Sequence, residues 1–153
     1  MTSNNININF RSIKAFKNIS DSAIKSIENN AEYLKFDFGY PIISPSIKTE
    51  RVFVILSGEA RFIHRSTDIE PTTISKLGTD SFLGLSSLFK NKNNESINAS
   101  SDVLVLSLSN ELIIKIYEDN KNFKNWIDSY LTISEIYDLV INIKENSFKN
   151  GSI

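Results

Sequence analysis

Few side chains in this sequence could do chemistry. There is no cysteine and a single histidine, His64. Thiol nucleophiles, disulfides, thiolate metal sites and multi-histidine metal centres are therefore excluded. His64 sits in the run Glu59–Arg65, where a lone strand histidine serves as a ligand contact, as a pH sensor or simply as a solvated group. Asp68 and Glu70 lie close together in a segment rich in turn formers, the setting of a solvated turn rather than of an acid–base pair. No nucleophile can be matched with a base, and no glycine-rich loop ending in Lys-Ser or Lys-Thr is present, so the chain reads as a binding protein and not an enzyme. One short stretch has recognition chemistry. Gly84, followed by Leu85, Ser86 and Ser87, either cradles a small anion with backbone N–H groups and hydroxyls or forms a plain turn before a short helix.

The charge balance narrows the partners. Lys and Arg number 17 against 18 Asp and Glu, for a net charge of −1, which supplies no field for gripping nucleic-acid phosphates. With 41% apolar residues, 10% of all residues aromatic, and 153 residues in total, the chain can bury one domain-sized core. Met1–Asn9 alternates Asn and Ile without a cationic start and an apolar stretch, so it reads as a disordered N-terminus rather than a signal peptide. The longest aliphatic and aromatic run, Val52–Leu56, falls far short of the roughly 20 residues that span a bilayer. These features predict a cytoplasmic protein with no metal and no resident cofactor.

Three regimes of hydrophobic spacing follow one another. From Phe10 to Tyr33 the spacing is helical, with Ala23, Ile24, Ile27 and Ala31 on one face and Ser20 or Asp21 as N-cap. From Leu34 to Leu108 the period becomes that of strands: Tyr33–Phe38, Pro41–Ser44, Arg51–Leu56, Glu59–Arg65, Thr72–Leu77, Ser96–Ser101 and Val103–Leu108. Ser57-Gly58 has the form of a two-residue hairpin turn between two of them. Beyond Ser109, a further N-cap, Leu112, Ile113, Ile116 and Tyr117 mark one helix, and Phe123, Trp126, Ile127 and Tyr130 mark another. Thr132-Ile133-Ser134-Glu135 reads as a capping box that opens a final helix. The pattern predicts an α+β protein: a single β-barrel or jelly roll of about eight antiparallel strands, with helices at both ends. The expected divisions are 1–9 disordered, 10–120 barrel with N-terminal helices, 121–146 a C-terminal helical pair, and 147–153 a frayed tail.

Val52-Phe53-Val54-Ile55-Leu56-Ser57-Gly58-Glu59-Ala60-Arg61 resembles the strand–turn signature of cyclic-nucleotide-binding domains. Phe82-Leu83-Gly84-Leu85-Ser86-Ser87-Leu88-Phe89 is similar to that family's phosphate-binding cassette, and Ala99–Ser109 to its last two strands and the start of the next helix. Gly39, Gly58 and Gly84 stand where the family has structural glycines. The resemblance implies a pocket in which an arginine neutralises a cyclic phosphate and a glutamate accepts from the ribose 2′-hydroxyl. At the glutamate's position this sequence has Leu85, and Asn93, Asn94 or Glu95 stands at the arginine's. Lys90 and Lys92 are the nearest cations. The candidate ligand-binding residues are therefore Gly84, Leu85, Ser86, Ser87, Lys92, Asn93 and Asn94, and the resemblance with these departures implies a domain whose cyclic-nucleotide binding is lost or altered.

Trp126, Phe123, Ile127 and Tyr130 either pack the last helices on the barrel or form a stripe for a partner. Val140, Ile141 and Ile143 spread apolar surface around the final helix, which implies a homodimer or a protein partner there. The segment from Trp126 to Leu139 is similar to the stretch after the cyclic-nucleotide-like domain of some cyanobacterial peptidase-containing ABC exporters. That implies a cytosolic regulatory part of a membrane exporter. The alternatives are a free-standing effector-binding or docking protein, a piece of a catabolite-activator-type transcription regulator, and a metal-free cupin-like enzyme.

Overall fold

One strand at the centre of the molecule has no polar face, and the layers follow from it. In β3 (Arg51–Ser57), Val52 and Val54 belong to an apolar cluster shared with helices, while Phe53 and Ile55 belong to the cluster between two sheets. A strand covered on both sides needs apolar residues at successive positions, so this run reads as unbroken hydrophobic sequence rather than as alternation. The same holds for β8 (Val103–Ser109), where Leu106 and Leu108 face the helices and Val103 and Val105 face the other sheet.

The structure is a computed structural model that describes residues 7–45, 49–66, 69–91, 95–132, 139 and 143. Two antiparallel four-stranded sheets face each other. One has the order β1 (Glu32–Phe36), β8, β3, β6 (Phe82–Leu83); the other has β2 (Pro41–Ile43), β7 (Ile97–Ala99), β4 (Ala60–Ser66), β5 (Ile69–Leu77). This is the jelly roll that the periodicity predicts, with eight strands among the described residues. The helices α1 (Asp21–Asn30) and α3 (Asn110–Asp119), with α4 at residues 121–132, belong to the layer on the outer face of the first sheet.

Several local readings need correction. The helical reading of Phe10–Tyr33 shortens to α1, which starts at Ser20, whose hydroxyl accepts from the Ala23 N–H, and ends before β1. Upstream, Phe10–Ser12 and Lys14–Phe16 are separate 3₁₀ turns, closed by the Ile13 and Lys17 N–H groups. Ser57-Gly58 is not a hairpin turn: β3 pairs with β8 and β6, and β4 pairs with β5 and β7. The chain turns a corner from one sheet to the other there, because β3 already has two strand neighbours. The hairpin is β4–β5, and β5 begins at Ile69, earlier than read. Pro71 did not end that strand because β5 is an edge and the ladder is irregular between His64 and Ser66. Thr132, read as an N-cap, is the last described residue of α4, and its hydroxyl donates to the Asp128 carbonyl at 2.9 Å. The rest of that box, at 133–135, lies outside the described residues, as do Val140 and Ile141.

Candidate functional site

The cassette is built on the shortest strand. β6 pairs Leu83 with Phe53 and Phe82 with Val54, so Leu83 enters the core between the sheets and Phe82 the helix-side core. Gly84 then turns the chain with φ +98°, a left-handed conformation open to glycine. A Cβ there would lie 3.3 Å from the Arg51 carbonyl oxygen and 3.5 Å from Ile43 Cδ1. α2 (Leu85–Lys90) starts at once, with Gly84 at its N-cap and no capping side chain, and ends at Asn91 with φ 52°. Its length was not legible because six residues carry too little periodicity.

This turn brings Gly84, Leu85, Ser86 and Ser87 together. Leu85 is 1% exposed and belongs to the helix-side core with Phe82 and Leu112. Ser86 is buried, Ser87 is half-buried, and both have partners within the protein. Lys92, Asn93 and Asn94 lie outside the described residues. Glu95 is half-buried just ahead of β7. Lys90, the other cation near the cassette, donates from Nζ to the Leu131 carbonyl at 3.3 Å. Among the described residues, no three His, Asp or Glu side chains converge as a metal site.

Sequence reasoning passed over Arg51. It opens β3 beside the cassette turn, but its guanidinium reaches across β8: Nε donates to Ser107 Oγ at 2.6 Å and Nη2 to the Ser107 carbonyl at 3.0 Å. Nη2 also stands 3.8 Å from Glu32 Oε2. Ser107 is fully buried, so the arginine satisfies a core polar group and clamps β1, β3 and β8. No sequence motif marks this role, since the partners are set by strand pairing.

The cassette is joined directly to α4. Tyr130 Oη donates to the Phe82 carbonyl at 2.6 Å. The Trp126 ring lies 4.8 Å from that of Phe82 and stacks on Tyr130 at 5.5 Å. Phe123 and Ile127 are fully buried. The aromatic stripe therefore packs on the sandwich, which decides between the two roles open to it. At the outer side Tyr117 donates to Asp128 Oδ1 at 2.7 Å with Lys124 Nζ above its ring. The hydrogen bond to Asp128, then burial and the Asp128 charge, raise the phenol above its ordinary pKa, against a smaller opposing effect of Lys124.

Solved structures with this architecture come from distant sequences. The Thermus thermophilus catabolite activator protein is 16% identical with a TM-score of 0.67, covering 88% of this chain and 63% of that one. The sensor domain of the transcriptional regulator DNR from Pseudomonas aeruginosa is 11% identical with a TM-score of 0.69, covering 85% and 87%. A mutant regulatory subunit of a cAMP-independent protein kinase A from Trypanosoma brucei, bound to cAMP in its A site, is 16% identical with a TM-score of 0.61. That match covers 78% of this chain and 48% of the trypanosomal one, so the chain spans about half that protein's length. At these identities the likeness shows the fold alone. No curated protein matches the sequence. The profile of the cyclic nucleotide-binding domain, however, matches residues 34–120, from the middle of β1 through all the later strands, the Gly84 turn and α3. Since that match takes in more than half of the residues, the chain belongs to the cyclic nucleotide-binding domain family.

Proposed function

We propose that the chain is a non-catalytic regulatory module that keeps the fold of its family and has lost the cyclic nucleotide. The carrying observation is Leu85, an apolar side chain sealed in the helix-side core at the position of the ribose-contacting glutamate. It cannot accept a hydrogen bond. The arginine beside the turn, Arg51, is engaged by Ser107 and Glu32. Each charge-assisted contact contributes roughly 1.5–3 kcal/mol, so losing one lowers affinity about ten- to a hundredfold and losing two removes useful binding. The trypanosomal neighbour is a regulatory subunit of a cAMP-independent kinase seen with cAMP as a mutant. It supports the reading that this fold can serve regulation without the nucleotide.

The module acts as part of a larger protein, with output through its C-terminal helices. The similarity of Trp126–Leu139 to an exporter segment supports a place on the cytosolic side of an ABC exporter, and no helix among the described residues is long and apolar enough to cross a membrane itself. Calorimetric titration tests the reading. Cyclic AMP and cyclic GMP are expected to bind no tighter than about millimolar, and a micromolar dissociation constant for either overturns it.

A further inference from the structure

The turn between β1 and β2 displays aromatic side chains that the fold leaves uncovered. Phe38 is 75% exposed and Tyr40 53%, and Leu34 on β1 is exposed as well. Single exposed apolar residues are ordinary on protein surfaces; neighbours on one rigid turn are not. The Tyr40 ring stacks on Phe36 with centroids 5.3 Å apart. The backbone is pinned at successive residues. The Phe38 N–H donates to Asp102 Oδ1 at 3.2 Å, that of Gly39 to the Ala99 carbonyl at 2.8 Å, and that of Tyr40 to the Asp37 carbonyl at 3.0 Å. An aromatic group held before contact loses little conformational entropy when it is covered.

The outer strand of the first sheet runs beside this turn. β1 is an outer strand bonded to β8 on one side, and among the described residues no backbone partner takes up its other side. Such a row of N–H and C=O groups is a template for a further strand. A lysine on an edge strand normally discourages that pairing, but Lys35 Nζ stands 3.8 Å from Asp102 Oδ2, which balances its charge. Arg51 answers Glu32 in the same way at 3.8 Å, so the exposed carboxylate left without an ion-pair partner among the described residues of this edge is Asp37, just past the end of the strand. The edge is therefore apolar at Leu34 and acidic at its Asp37 end.

We propose that β1 and the Phe38 turn are a docking edge for an extended segment of a partner protein. The segment's backbone pairs with the outer side of β1, its apolar residues cover Leu34, Phe38 and Tyr40, and a flanking Lys or Arg meets Asp37. This surface is independent of the cassette, so it stands or falls apart from the loss of nucleotide binding.

Phage-displayed peptides selected on the immobilised full chain, then synthesised and titrated into the ¹⁵N-labelled chain, test it. The selected peptides are expected to join an apolar centre free of proline to a Lys or Arg flank, and to shift the amides of Glu32–Tyr40. Replacing that basic flank with Glu is expected to weaken binding about tenfold or more, as is the double substitution Leu34→Lys with Phe38→Ser. Phe38→Asp alone, at a side chain the fold leaves mostly in water, gives the same readout if the double variant unfolds. Failure to enrich any peptide, enrichment of acidic flanks, shifts confined to other surfaces, or binding unmoved by Phe38→Asp overturns the proposal.

Discussion

Returning a carboxylate to position 85 would place it in the helix-side apolar core, where Leu85 is 1% exposed. Leu85→Glu is accordingly expected to destabilise the chain by about 3 kcal/mol or more at neutral pH and to gain no affinity for cyclic AMP. Denaturant unfolding checks the first part. The loss should shrink toward pH 5, because burial raises the pKa of such a carboxyl and protonation removes the buried charge. Calorimetry checks the second. The leucine itself was legible in the sequence as a departure from the cassette pattern, but its direction was not, since a six-residue helix can present position 85 to either side. Gly58 makes the complementary point. Its φ is +90° and an added Cβ would stand 2.2 Å from the Asp102 carbonyl oxygen. Gly58→Ala is expected to cost about 2 kcal/mol or more, read as a lowered thermal midpoint.

At the scale of elements, the cassette and α4 form one unit without a ligand. Tyr130→Phe keeps the ring that stacks on Trp126 and removes the hydroxyl that donates to the Phe82 carbonyl. It is expected to cost about 1–3 kcal/mol if that carbonyl finds no other donor. Hydrogen exchange should then speed up at residues 121–132 while β3 and β8, covered on both faces, stay protected. Helix starts were the most legible elements: Ser20 and Ser109 are N-caps, each hydroxyl accepting from the N–H three residues on. Thr132, read as another start, ends the described part of α4, where its hydroxyl donates to the i−4 carbonyl of Asp128. The two-residue strand β6 was missed because it has no period of its own; β3 alone defines it.

For the whole molecule, the surface left after folding decides how it associates. Leu139 and Ile143, four positions apart in the sequence and each helical, are 59% and 56% exposed. Burying each would contribute about 1.5–3 kcal/mol, so self-association through this face is the expected outcome at high concentration. Sedimentation equilibrium should show dimers that Leu139→Glu with Ile143→Glu abolishes; a strictly monomeric wild-type chain would leave this face to another partner. By itself the sequence determined the α+β composition, the succession of helical and strand periods, the N-caps, and the exclusion of thiol and multi-histidine chemistry. Those are properties of single residues or of neighbours within a turn, and local sterics and hydrogen bonding set them. Only the tertiary structure decided that Ser57-Gly58 crosses between sheets, that Leu85 faces the helices, and that the Arg51 guanidinium belongs to Ser107. The Arg51–Ser107 partners are 56 positions apart. Which residues meet across such a separation depends on strand pairing and on where each buried face finds its cover, and no window of local sequence contains that information.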